Sequence, residues 1–263
     1  MLKKLLKYDL KDVCKGLIVF YALAIIFSVL TRIFFLFDNS TILNIVAHIC
    51  SGVAISMFFN IIINSIIRCW VRFKKNIYGD ESYLTHTLPI KKETQYLSKF
   101  LTAVISMLLG FLVILACLFI AYYSKENLEI LKQSLEFLAN LYSSTVIGLL
   151  LIIFTVVFLE MLFALIVGYT GLIIGHKFNN NKMLKTFISG FVIYMVMSGI
   201  SLLIMFVLAL FNPDIMSLFT SNNITDINIM KTMMYIAIII YIVYIAILYV
   251  VNVKLFKKGV NVD

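Results

Sequence analysis

One carboxylate stands deep in an apolar run: Glu160, within LLLIIFTVVFLEMLFALIV. A charge at mid-bilayer costs on the order of 2.5–3.5 kcal/mol, while each flanking Leu, Ile, Phe or Val returns about 0.3–0.6 kcal/mol. The run therefore inserts regardless, and its carboxylate must face a bundle interior, meet water or take up a proton. Two readings stand side by side: a group in a substrate path or gate, and a structural residue bonded to a neighbouring helix. A second set of polar groups, His48, Ser56, Asn60 and Asn64, lies along TILNIVAHICSGVAISMFFNIIINSII with Asn44, Ser51 and Gly52. Their mostly four-residue spacing holds them on one slowly rotating helix face. Such a stripe either lines a translocation path or fastens helices together.

Catalysis has no comparable set. None of the eleven glycines is followed by lysine, so there is no G-x-x-x-x-G-K-[ST] loop to cradle a nucleotide's phosphates. The G-x-S-x-G turn of serine hydrolases is missing, and Glu160 has no acidic partner within its run. His48, His86 and His176 fall in no zinc-ligand spacing, so no metal site is expected. Cys14, Cys50, Cys69 and Cys117 form no C-x-x-C pair and are expected to be reduced, buried small hydrophobes. No catalytic residue and no cofactor is assigned to this chain.

The elements that must position these groups follow from composition. Of 263 residues 62% are hydrophobic and 13% charged, and the mean hydropathy is +1.04. A soluble chain carries about a quarter charged residues. The pattern is that of an all-α membrane protein with six transmembrane helices, near 17–37, 42–67, 100–123, 144–174, 186–211 and 232–253, in one domain over 1–263. All but four of the 22 lysines and arginines (Arg32, Lys125, Lys132 and Lys231) fall on one side of that arrangement. Basic residues accumulate on the cytoplasmic side, which predicts a multi-pass protein of the cell membrane with both termini inside. The net charge of +9 then reflects orientation and contact with anionic membrane lipid, and no nucleic-acid partner is expected.

Three segments lie outside the spans. In residues 1–16, Leu2, Leu6, Leu10 and Val13 share a face, with lysines opposite, which predicts an N-terminal interfacial helix; a frayed basic tail is the alternative. Residues 124–140 could form a short amphipathic helix, and 212–231 an outer element before the last span. Between spans two and three, residues 68–99 read as a cytoplasmic hairpin. Arg68, Arg72 and Lys75 lie on one face of its first arm, and Trp70, Phe73 and Ile77 on another. Gly79 is expected to stop that arm in a left-handed conformation. Thr87 and Pro89 are expected to cap the next helix, with Ile90, Leu97, Leu101 and Val104 on one face and Lys91, Lys92, Gln95 and Lys99 on the other.

The stretch YGDESYLTHTLPIKKETQYLSK resembles the cytoplasmic loop of type-2 ABC exporter permeases of Gram-positive bacteria, where GDE-x-YL-x-x-TLP is followed by a helix ending in LSK. The matching positions are Gly79, Asp80, Glu81, Tyr83, Leu84, Thr87, Leu88, Pro89, Leu97, Ser98 and Lys99. The resemblance implies that the tip is a coupling helix docking on a separate cytoplasmic ABC ATPase subunit. Lys91 and Lys92 are included in that surface. ATP and Mg would bind on the partner, and a second permease half, identical or not, would complete the transporter. The implied substrates are amphipathic: antimicrobial peptides, lipids or drug-like compounds. The alternative is a membrane immunity or sensor protein that binds a peptide without transport.

Overall fold

The computed structural model describes residues 1–37, 41–212, 215–216 and 227–259. Among these there is no strand. The helices are α1 (Leu2–Phe35), α2 (Thr41–Ile77), α3 (Ser82–Thr87), α4 (Lys92–Tyr122), α5 (Lys125–Leu141), α6 (Val146–Gly175), α7 (Lys182–Phe211) and α8 (Ile227–Lys257). Six of them, all but α3 and α5, are long and apolar enough to cross a membrane. The expected helix at 124–140 is α5. The outer element expected at 212–231 falls mostly outside the described residues.

At 1.5 Å per residue, α1 extends about 51 Å and α2 about 55 Å, well beyond a hydrocarbon layer of about 30 Å. The expected N-terminal segment 1–16 is therefore not an element of its own. It forms the first turns of α1, because the only breaker in that stretch is Gly16, and a single glycine costs a helix only about 1 kcal/mol. Likewise α6 runs unbroken past its glycines.

The chain divides into two compact units, Met1–Ile130 and Leu131–Asn261, with the boundary inside α5. In the first, α1 packs on α2 and α4, and α2 on α4. Its centre is Ala24, Ala54, Phe58, Ile61 and Cys117, with Tyr21, Phe27 and Met57 closing around them. The small members let the backbones approach. At Gly110 of α4, a Cβ would lie 3.1 Å from Ile61 Cγ2. Many large apolar side chains point outward, among them Ile25, Ile26, Leu112, Leu115 and Phe119. This is the membrane pattern, in which lipid accepts leucine as readily as a core does and helices meet through small and polar residues.

In the second unit α7 and α8 both pack on α6. The half of α6 from Leu162 to Gly175 is mostly buried, whereas in the half before it only Leu149 is. Thr145 starts α6 as an N-cap, its hydroxyl accepting from the Gly148 N–H at 3.1 Å. Phe163 gathers the rings of Tyr194, Tyr241 and Tyr244 at 5.7–6.2 Å. Tyr244 donates its hydroxyl to the Met197 carbonyl at 3.0 Å. The α6–α7 crossing is closest at the glycines. A Cβ on Gly171 would lie 2.8 Å from the Thr186 carbonyl and 3.1 Å from Gly190 Cα, backbone atoms that cannot step aside.

Gly171→Val is accordingly expected to lower the thermal transition of the detergent-solubilised chain by an amount equivalent to roughly 1–3 kcal/mol. Gly199→Ala, at a mid-helix position with no atom within 4 Å of a built Cβ, is expected to raise it slightly, because alanine favours helix over glycine by about 1 kcal/mol. Equal transitions for both variants would contradict the crossing described.

Candidate functional site

The hairpin between α2 and α4 is built as a knuckle. After Ile77 the backbone folds back on its own last turn, the N–H groups of Tyr78 and Gly79 donating to Lys74 O at 2.9 and 3.1 Å. Gly79 does not adopt the left-handed conformation expected of it. Its φ is not positive; glycine suits the position because a Cβ would lie 3.3 Å from both Cα and O of Lys75. The expected start of the second arm is also displaced. Thr87 ends α3, its hydroxyl donating to Leu84 O at 3.0 Å, and α4 begins only at Lys92. Pro89 is the reason: it disfavours helical backbone in the residue before it, and Leu88 is extended at φ −65°, ψ 134°.

Side chains tie α3 to both arms. Gln95 Nε2 donates to Thr85 O at 3.0 Å, and His86 Nε2 donates to Ile77 O at 3.1 Å. Beneath them Phe73, Tyr78 and Tyr96 form a buried ring cluster, with Phe73 at 6.3 Å from Tyr78 and 6.2 Å from Tyr96. Burial pushes the Tyr78 hydroxyl well above the usual tyrosine range, so it stays protonated.

Below the rings lies a charge cluster that the sequence pattern did not single out. Asp9 of α1 is 3% exposed and Lys99 of α4 is 4% exposed. Lys99 Nζ donates to Asp9 Oδ1 at 2.6 Å, and Ser98 Oγ donates to Asp9 Oδ2 at 3.1 Å. Arg72 of α2 lies 3.3 Å from Asp9 Oδ1 through Nε, and its Nη1 reaches Glu81 Oε2 at 2.8 Å and Asp12 Oδ2 at 3.3 Å. Glu81 also accepts from Asn76 Nδ2 at 3.0 Å and pairs with Lys75 at 3.1 Å. One chain of charge thus joins α1, α2, α4 and the knuckle. Burial alone would raise the Glu81 carboxyl. The hydrogen bonds from Asn76 and Lys75 and the positive charge of Arg72 and Lys75 outweigh it and hold the group below the usual carboxylate range.

The residues expected to form the coupling surface therefore separate into two sets. Glu81 faces inward and fastens the knuckle to α2. Asp80, Thr87, Pro89 and Lys91 are exposed, as are three apolar side chains, Tyr83 at 78%, Leu84 at 68% and Leu88. Lys92 is half-buried. The face of α4 expected to be its solvated side is turned inward, since Gln95 and Lys99 are both buried while Leu97, Leu101 and Val104 are only half-buried.

Of the expected path residues, His48, Ser56, Asn60 and Asn64 stand on α2 and Glu160 on α6. His48 is exposed and lies edge-on to Phe35 at 5.3 Å, and Ser56 is exposed. Asn60 and Asn64 turn their amides back on α2, donating to Ser56 O and Asn60 O at 2.9 Å each. Glu160 belongs to the other unit; it is exposed there, within electrostatic reach of the Tyr241 hydroxyl. Among the described residues no group of His, Cys, Asp or Glu has the arrangement of a metal site, and all four cysteines are free.

No family model, curated protein or solved structure matches the chain.

Removing one partner of a buried ion pair leaves the other charge stranded, at a cost of roughly 3–5 kcal/mol, whereas replacing both by apolar groups is often neutral. Asp9→Ala is thus expected to destabilise the chain far more than the double variant Asp9→Leu/Lys99→Met, read by thermal unfolding in detergent. The reverse order would sink the cluster as described. Because the carboxyl of Glu81 is held low in the fold, its contribution is complete above the ordinary carboxylate range near pH 4 and is lost as pH falls through its depressed value. Fluorescence of Trp70, the chain's one tryptophan, should report an acid-side change that shrinks in Glu81→Gln, a variant also less stable at neutral pH.

Proposed function

We propose that this chain is the membrane-spanning permease subunit of an ATP-driven exporter and that the knuckle at 79–92 is where a separate ATPase grips it. The observation that carries this reading is the mounting of the tip. Tyr83, Leu84 and Leu88 stand exposed on a segment whose other side is fixed to both arms by hydrogen bonds, buried rings and the Asp9–Lys99–Arg72–Glu81 cluster. Apolar groups held rigidly on a short charged helix suit a protein contact that must transmit rigid-body motion. The likeness of 78–99 to exporter loops and the lack of a nucleotide-binding sequence agree with it.

On this reading the basic bias places the knuckle and both termini in the cytoplasm of the cell, with the first turns of α1 at the interface. ATP and Mg bind on the partner ATPase, which hydrolyses ATP. A second permease half pairs with this one, and the cargo is an amphipathic peptide, lipid or drug-like compound. His48, Ser56, Asn60, Asn64 and Glu160 are the groups on hand for its path. A sensor or immunity protein binding a peptide without transport would have no use for the exposed tip.

The test is affinity purification of the full chain from its native membrane, followed by an ATP hydrolysis assay on the eluate. An ATP-binding-cassette subunit is expected to co-purify with activity. Tyr83→Ala/Leu84→Ala should reduce the recovered activity about tenfold without altering the thermal transition of the permease. Unchanged recovery would remove the knuckle as the docking surface; an eluate with no such ATPase would remove the exporter reading.

A further inference from the structure

A cavity of about 390 Å³ opens between α1 and α2 at their hairpin end, its lining running from Asp12, Val13, Lys15 and Gly16 of α1 to Arg68, Val71, Arg72 and Lys75 of α2. Its charges are not equivalent. Arg72 and Lys75 are engaged by Asp9, Asp12 and Glu81, and the one carboxylate of the lining, Asp12, is taken by Arg72. Lys15 and Arg68 make no ion pair or hydrogen bond among the described residues. Arg68 is nonetheless placed: its guanidinium lies against Gly16, where a Cβ would come within 2.9 Å of Cζ and Nε. A glycine of α1 thus makes room for a planar cation of α2, and no acid answers it.

Both cations stand at one depth in the sequence. Lys15 is the last charge before the uncharged run 16–31 of α1, and Arg68 the first after the run 41–67 of α2, which holds no Asp, Glu, Lys or Arg. Each marks the edge of a span, the level of lipid headgroups. Directly beside them, on the span side, Ile18, Val19 and Ile67 are exposed apolar surface fit for acyl chains. A guanidinium offers a fork of donors matching phosphate oxygens, and an ammonium adds a point charge.

We propose that this cavity binds the phosphate of an anionic phospholipid from the leaflet on the hairpin side, with Arg68 as the fork and Lys15 as the second cation. The lipid would pack against the outer face of the same α1–α2 pair that carries Asp9 and Arg72, fastening together the two helices on which the knuckle is mounted.

The experiment uses the full chain in nanodiscs of phosphatidylcholine alone or with phosphatidylglycerol, with retained lipid read by native mass spectrometry and stability by the thermal transition. Wild type is expected to retain phosphatidylglycerol selectively and to unfold at higher temperature with it. Lys15→Gln/Arg68→Gln should reduce the selectivity about thirtyfold, since each of the two basic groups near the surface contributes about 1 kcal/mol. Arg68→Lys, which keeps the charge and loses the fork, should also weaken it, and Lys177→Gln, an exposed lysine of the other unit, should not. Selectivity equal in wild type and Arg68→Lys, or lost equally in Lys177→Gln, would reduce the effect to general surface charge and overturn the site. The same stabilisation by inorganic phosphate in phosphatidylcholine discs would overturn the lipid as its occupant.

Discussion

The first unit depends on one buried carboxylate. Asp9 sits where three helices meet, accepting from Lys99 and Ser98 of α4 and facing Arg72 of α2. Removing a carboxylate and an ammonium from water costs several kcal/mol for each ion, repaid only by close geometry and filled hydrogen-bonding capacity. The arrangement meets that condition. Both oxygens of Asp9 are occupied, and Arg72 passes the remaining positive charge outward to Asp12 and Glu81. An ionic junction of this kind adds little net stability over an apolar one, but it tolerates few other registers. It specifies which turn of α1 lies beside which turn of α4, a choice that apolar surfaces sliding in lipid would leave open.

That specificity matters because hydrophobic burial cannot drive these helices together once they are in a bilayer. The contacts that remain are close backbone approach and polar bonds. Both units use them, with different emphasis. The first meets through Ala24, Ala54 and Gly110 at mid-span and through charge at its hairpin end. The second crosses α6 over α7 at Gly171 and Gly175 and anchors α8 through its tyrosines.

Much of this was legible in the sequence, because composition and run length alone fix six apolar helices, and a charged interval holding Gly79 and Pro89 must interrupt them. The details lost were those where a rule from water was carried to a membrane boundary. Lys99 and Gln95 looked like a solvated face, yet both turn inward, Lys99 to the carboxylate of Asp9 and Gln95 to the carbonyl of Thr85. Asp9 was hidden by its neighbours: among five lysines in fifteen residues it reads as one more surface charge. Its only signal is position, four and eight residues before the buried Val13 and Leu17. The helix boundary at Pro89 was misplaced because threonine followed by proline can open a helix, and only the extended Leu88 shows that it does not. The polar stripe of α2 was visible as a pattern, but periodicity cannot tell an amide that faces a neighbour from one that folds back on its own carbonyls, as Asn60 and Asn64 do.

The unbroken course of α1 has one more consequence. From Asp9 to Phe35 runs about 39 Å of continuous helix with no proline to flex it. A rod of that kind has no joint at which to absorb a tug. Whatever tilts its charged foot, where the knuckle and α4 hold it, must swing its far tip and the His48–Phe35 contact there. The two faces of the membrane are in this way put in mechanical register by a single piece of backbone.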